Sequence, residues 1–244
     1  TIIGIFILWK ILKLWDRKKK IFAPLRKLRK RIMDQILIQQ IFFMKYLLKN
    51  PADGYYGIRR EAKTSYLSAH VLLVLVFLIS VFDKYFTSYI FRYVREGRYE
   101  IFEDFISFIA VISLLIVSNY LVTTISDGEA RFQDVYQGFA YALAPYILIK
   151  PILILLSHTL TYNEVFILNF GNFAIQVWTA TMMVLMIKYI NDYTFKETFK
   201  IILYTLFTVL IAVLVLFIVY VLFSQVVDFV QSIIGEAVYR IAEI

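Results

Sequence analysis

The sequence predicts an all-α integral membrane protein. Its core is a five-span helical bundle, preceded by a basic amphipathic helix and a truncated N-terminal span. Three observations carry this reading. The 244-residue chain is 61% hydrophobic and 18% aromatic, whereas a soluble domain is about 45–50% apolar. Long uncharged apolar runs recur along it, and its mean hydropathy is +0.72. Its positive charge is also concentrated near one end: residues 9–67 hold 16 of the 26 Lys and Arg but 4 of the 18 acids.

A membrane-crossing helix needs about 20 predominantly apolar residues. Four runs qualify directly: Tyr66 to Phe82, Phe105 to Thr124, Gly171 to Ile187 and Ile201 to Phe223. A fifth, Gly138 to Thr161, is long enough but contains Lys150, Pro145 and Pro151. Thr1 to Trp15, interrupted by Lys10 and Lys13, reads as the cytoplasmic end of a truncated span, which would place the start of the chain outside. An interfacial anchor is the other reading of that segment.

Lys and Arg accumulate in cytoplasmic loops. With Arg17 to Lys63 inside, residues 162–170, which lack Lys and Arg, fall outside. The loop bearing Lys188, Lys196 and Lys200 falls inside. Residues 83–104 fit less well, because Lys84, Arg92, Arg95 and Arg98 then lie outside. The larger basic block decides the orientation: residues 16–65 cytoplasmic, the C-terminus outside.

The basic segment, residues 16–50, carries Arg17, Lys18, Lys19, Lys20, Arg26, Lys27, Arg29, Lys30 and Arg31. Pro24 suits a first helical turn. Leu25, Leu28, Ile32, Ile36, Phe43 and Tyr46–Leu47 then recur at helical spacing. A basic helix with an apolar stripe reads as lying on the inner membrane surface, against anionic lipids. Docking of an acidic partner is the sharper alternative. Nucleic-acid binding is set aside because no reading motif is present. In "NPADGYYGIRRE", residues 50–61, Pro51 pushes Asn50 out of helical geometry. Gly54 and Gly57 there predict a turn, with Tyr55, Tyr56 and Ile58 at the headgroup level. Residues 225–244 read as an amphipathic helix on the outer surface.

Ser126 and Glu129 have the S-x-x-E spacing of a capping box, and Gly128 permits a tight reversal between spans. The stretch "SDGE" therefore predicts a cytoplasmic turn and a helix start. A metal or acid–base role for Asp127 and Glu129 would need further ligands. The chain has no cysteine and only His70 and His158, which excludes thiolate and histidine-rich metal sites. With no P-loop and no nucleophile–base pair, no enzyme, cofactor or metal is expected.

"DGEARF" followed by "AYALAPYIL" resembles the signature of bacterial Yip-family membrane proteins. The matching residues are Asp127, Gly128, Glu129, Phe132, Ala140, Tyr141, Pro145 and Tyr146. "NPADGYYGIRRE" resembles the segment before the first Yip span, and the likeness covers roughly Leu47 to Phe223. Ala130 departs from the glycine usual at its position. The resemblance implies a five-span core without established catalysis, in a bacterial plasma membrane. It also implies, for some members, association with ABC-type sugar importers. The leading functional expectation is an accessory subunit that binds and organises other membrane proteins.

Lys150 is the conspicuous intramembrane charge. Twelve residues into the run that starts at Gly138, it lies about 18 Å along the helix, just past the middle of a hydrocarbon core about 30 Å thick. A break is expected between Pro145 and Pro151. Three roles stay open for Lys150. It can snorkel outward, it can cap freed carbonyls or meet Glu164 or a partner's acid, or it can line a polar cavity with Asn169, Asn172 and Gln176. The last underlies the competing expectation, an independent transporter or channel.

Overall fold

Each long apolar run becomes a helix, as it must where no water is present to satisfy the backbone. The computed structural model describes residues 36–92 and 100–242. The expected truncated span at 1–15 and the basic run Arg17 to Arg31 lie outside the described residues.

The described elements are α1 (Ile36–Lys49), α2 (Pro51–Arg60), α3 (Tyr66–Phe86), α4 (Ile101–Ile125), α5 (Phe132–Ala142), α6 (Ala144–Leu156), α7 (Val165–Asn191) and α8 (Phe195–Ala242). Short 3₁₀ turns at Tyr89–Phe91 and Tyr162–Glu164 precede α4 and α7. Five segments are long and apolar enough to cross a membrane: α3, α4, α5 with α6, α7 with its 3₁₀ turn, and α8. The described residues are helical with no strand.

The broken span formed by α5 and α6 packs against α3 and α7, and α2 packs on α7. The tightest core lies at the end of the bundle where α1 and α2 dock. Leu47, Tyr55, Ile58, Val135, Tyr141 and Ile190 are all fully enclosed there. On the other side, α4 and α8 pair as a wing. Asn119 Nδ2 of α4 donates to Thr205 Oγ1 of α8 at 3.3 Å, a polar contact between spans.

Four expectations need correction. First, "PADGYYGIRR" is helix α2, not a turn. Pro51 does sit in its first turn, with Asn50 outside helical geometry. The glycines serve close packing, since a Cβ on Gly54 would come within 3.0 Å of Leu47 Cα. Tyr55 and Ile58 are buried in protein, and only Tyr56 is exposed.

Second, α1 turns Met44 and Leu47 into the core, with Ile41 and Leu48 beside them. Of the expected apolar stripe, Ile36 and Tyr46 are exposed. The protein core claims one face of this helix before any lipid can.

Third, the break in the third span lies at Leu143, ahead of Pro145. Pro145 occupies the first turn of α6, where its missing N–H has no helical partner to lose. The helix then runs through Pro151 to Leu156.

Fourth, α8 continues without interruption across Ser224–Gln225 to Ala242. Within 225–242 the helix expected there is a continuation of the last span.

Candidate functional site

The first cluster of interest is the joint between α4 and α5. Ser126 ends α4, and its N–H bonds the Val122 and Thr123 carbonyls. Asp127 then takes a left-handed conformation, φ 55°. Gly128 N–H reaches back to the Thr123 carbonyl at 2.8 Å. This is the Schellman way of closing a helix C-terminus. The left-handed residue is Asp127, so Gly128 is needed for space. A Cβ there would lie 2.6 Å from Tyr193 Oη, 2.7 Å from Asn191 Oδ1 and 2.7 Å from the Thr123 carbonyl.

The capping box expected from Ser126 and Glu129 does not form. Asp134 caps α5 instead, accepting from the Arg131 backbone N–H at 3.1 Å and from Arg131 Nε at 3.1 Å. Glu129 is directed to α2, where it pairs with Arg59 and, at 3.2 Å, with Arg60. The Arg59 side chain is only 8% exposed. Burial, followed by the neighbouring Arg60 charge, lowers its pKa.

The other motif residues extend this joint. Phe132 meets the Tyr120 ring edge-to-face at 5.3 Å. Tyr141 Oη donates to the Gln40 carbonyl at 2.8 Å and lies 3.0 Å from Ser68 Oγ, tying α5 to α1 and α3. Tyr55 Oη donates to the Met182 carbonyl at 3.0 Å, tying α2 to α7. The Asp127–Glu129 turn, α2 and the end of α7 thus form one locked corner, in which Glu129 is committed to the two arginines and the Asp127 side chain is exposed.

The second cluster is a cleft between α3, α6 and α7 at the opposite end of the bundle. Lys150 Nζ lies 2.7 Å from Asp83 Oδ2 and 2.8 Å from Asn172 Oδ1. Its side chain is 12% exposed. Asp83 Oδ1 accepts from Thr87 Oγ1 at 2.9 Å. Sequence reasoning missed Asp83 because the apolar run ends at Phe82, whereas α3 continues to Phe86.

Glu164, offered above as a partner for Lys150, is occupied elsewhere. It accepts from the Thr161 N–H and hydroxyl at 2.8 and 3.0 Å. The four intramembrane polar candidates do converge. Lys150, Asn169 and Asn172 line both an outer void of about 330 Å³ and a deeper one of about 360 Å³, and Gln176 lines the deeper one. The two histidines are structural: His158 Nε2 bonds the Phe86 carbonyl at 2.6 Å, and His70 Nδ1 bonds the Tyr66 carbonyl at 2.7 Å. Among the described residues no group of three or more His, Asp or Glu assembles.

These features define a polytopic helical membrane protein with a helix-locked corner at one end and a polar cleft at the other. The Yip1 domain model matches residues 45–217, which covers α2 to the first half of α8 together with the last residues of α1. The chain belongs to the Yip1 family. No curated protein and no solved structure matches it.

Proposed function

We propose that this Yip1-family chain is a non-enzymatic membrane subunit that binds and organises other membrane proteins. The observation that carries the proposal is the wing formed by α4 and α8. The most apolar stretch of α8 buries none of its residues against the rest of the chain. Phe207, Leu216, Phe217 and Phe223 are all exposed along it. Helices associate in bilayers through packing of such surfaces and occasional interhelical hydrogen bonds. Its start packs on α4 through Ile201 and Thr205, but the stretch from 206 to 234 has no buried residue, and such a surface is suited to lateral contact with another helix. The bacterial plasma membrane is the proposed location, with the α1–α2 end cytoplasmic. An ABC-type sugar transporter is the partner class suggested by the family resemblance.

The test places a photo-crosslinking residue at Phe217 and, as control, at buried Met186 in native membranes. The expected result is one defined heavier adduct from position 217, none from 186, and a stoichiometric partner retained in mild detergent. A monodisperse monomer without adduct in native lipid extracts overturns the reading. Transport by the chain alone is the competing function, favoured by the amides around Lys150. Solute flux from liposomes holding only this protein, lost in Lys150→Met, would install it instead.

A further inference from the structure

We infer that the cleft between α3, α6 and α7 binds the phosphoglycerol portion of one anionic phospholipid. This inference is independent of the wing.

The argument starts from unspent hydrogen-bond donors. A lysine ammonium has three N–H donors and no acceptor. Two of those of Lys150 are used, on Asp83 and Asn172, and the third has no acceptor among the described residues. Asn172 gives its oxygen to Lys150, so its NH₂ faces elsewhere. Asn169 and Gln176 line the same voids and make no side-chain hydrogen bond among the described residues. The cleft therefore presents one ammonium N–H and three amide NH₂ groups, which an acceptor-rich ligand can satisfy, beside two amide carbonyls that can take a hydroxyl.

Depth selects the source of those acceptors. Tyr85, Phe86, Tyr89 and Tyr162 are exposed where α3 ends and α7 begins, the pattern of an aromatic belt at the headgroup level. The Lys150 ammonium meets Asp83, three residues before the end of α3 at Phe86, about 5 Å below that belt. Phosphodiester and ester oxygens of a lipid meet the hydrocarbon in this zone. Water-soluble anions are not concentrated there.

Shape agrees. The outer void is bordered by the basic side chains Lys84, Arg92 and Lys150, of which Lys150 pairs with Asp83 and Lys84 with Asp104. The deeper void adds Tyr146, Phe173 and Ile175, an apolar wall suited to the first part of an acyl chain. Because Lys150, Asn169 and Asn172 border both voids, head and chain can occupy them together. The outer volume, about 330 Å³, lies at the small end of ligand pockets.

The experiment is native mass spectrometry of the full chain in detergent, titrated with phosphatidylglycerol, phosphatidylcholine or glycerol phosphate. One phosphatidylglycerol per chain is expected, bound about tenfold more tightly than phosphatidylcholine, the scale of one charge-assisted hydrogen bond. Asn169→Leu, which leaves the Lys150–Asp83 pair untouched, should weaken it about threefold to tenfold with unchanged thermal stability. Lys150→Met should weaken it at least tenfold, and where that variant does not fold, Asn169→Leu decides. Equal binding by wild type and Asn169→Leu overturns the site. Binding of glycerol phosphate as tight as that of the lipid overturns the lipid as its source.

Discussion

Lys150 of α6 and Asp83 of α3 form an ion pair at 2.7 Å, joining two spans sixty-seven residues apart in sequence. The two members differ in exposure: the lysine side chain is 12% exposed and the carboxylate 32%. Removing the carboxylate therefore strands the more enclosed charge. Asp83→Asn is expected to destabilise the protein by about 1–3 kcal/mol, and Lys150→Met by less. The double variant should recover part of the Asp83→Asn loss. Thermal unfolding of all four proteins in one detergent checks this, and simple additivity would show that the pair contributes nothing.

Neighbouring residues in the α4–α5 joint should respond with opposite sign. Gly128→Ala places a methyl group among three oxygens at 2.6–2.7 Å, an overpacking expected to cost about 1–3 kcal/mol. Asp127 carries the positive φ, so Asp127→Gly relieves a conformation unfavourable to a side chain and should be neutral or stabilising by up to about 1 kcal/mol. Melting temperatures of the two variants decide it. Equal destabilisation would mean that the aspartate side chain has a role beyond geometry.

Tyr55 supplies a pH dependence. Burial raises its phenol pKa above the value near 10 that the unfolded chain shows. The folded state therefore keeps a proton that the unfolded state loses. Stability is whole below about pH 10 and falls above it, by up to about 1.4 kcal/mol per pH unit. Denaturant midpoints between pH 9 and 11 should show this fall. Tyr55→Phe should flatten it, at a cost near neutral pH of about 0.5–1.5 kcal/mol for the lost bond to the Met182 carbonyl.

The wing offers an asymmetry between two partners. Asn119 is buried, and its Oδ1 has no hydrogen-bond partner while its Nδ2 reaches Thr205. Thr205→Val leaves a buried amide wholly unpaired. Asn119→Leu removes donor and orphan acceptor together. The threonine change is therefore expected to be worse by about 0.5–1.5 kcal/mol, read as the difference in midpoint during unfolding in mixed micelles. The reverse order would place an acceptor beside Asn119 that the bundle itself does not provide.

The five spans were legible because each rests on a local property, a long apolar stretch. The local signals failed where a tertiary partner decided the outcome. Gly54 and Gly57 look like turn residues in isolation, but the close approach of Leu47 makes Gly54 a packing residue. Ser126 and Glu129 have the right spacing for a cap, yet Arg59 and Arg60 draw Glu129 away and Asp134 takes the capping role. For the cleft, helical spacing placed Asn169, Asn172 and Gln176 on one face of their span, and the fold brings that face to Lys150. The counter-charge was invisible, because Asp83 lies just past an apolar run and looked like loop. Proline positions marked the broken span, but the break falls at Leu143, two residues before Pro145, and Pro151 lies inside α6.

The unbroken course of α8 has a mechanical consequence. Its uncharged stretch runs from Ile201 to Val227, about 40 Å of helix, already more than the hydrocarbon thickness of about 30 Å. Residues 228–242 follow in the same rod, adding about 22 Å. A rod about twice as long as the hydrocarbon is thick must either project beyond the bilayer or tilt strongly within it, so its reach is set by helix length rather than by a jointed tail.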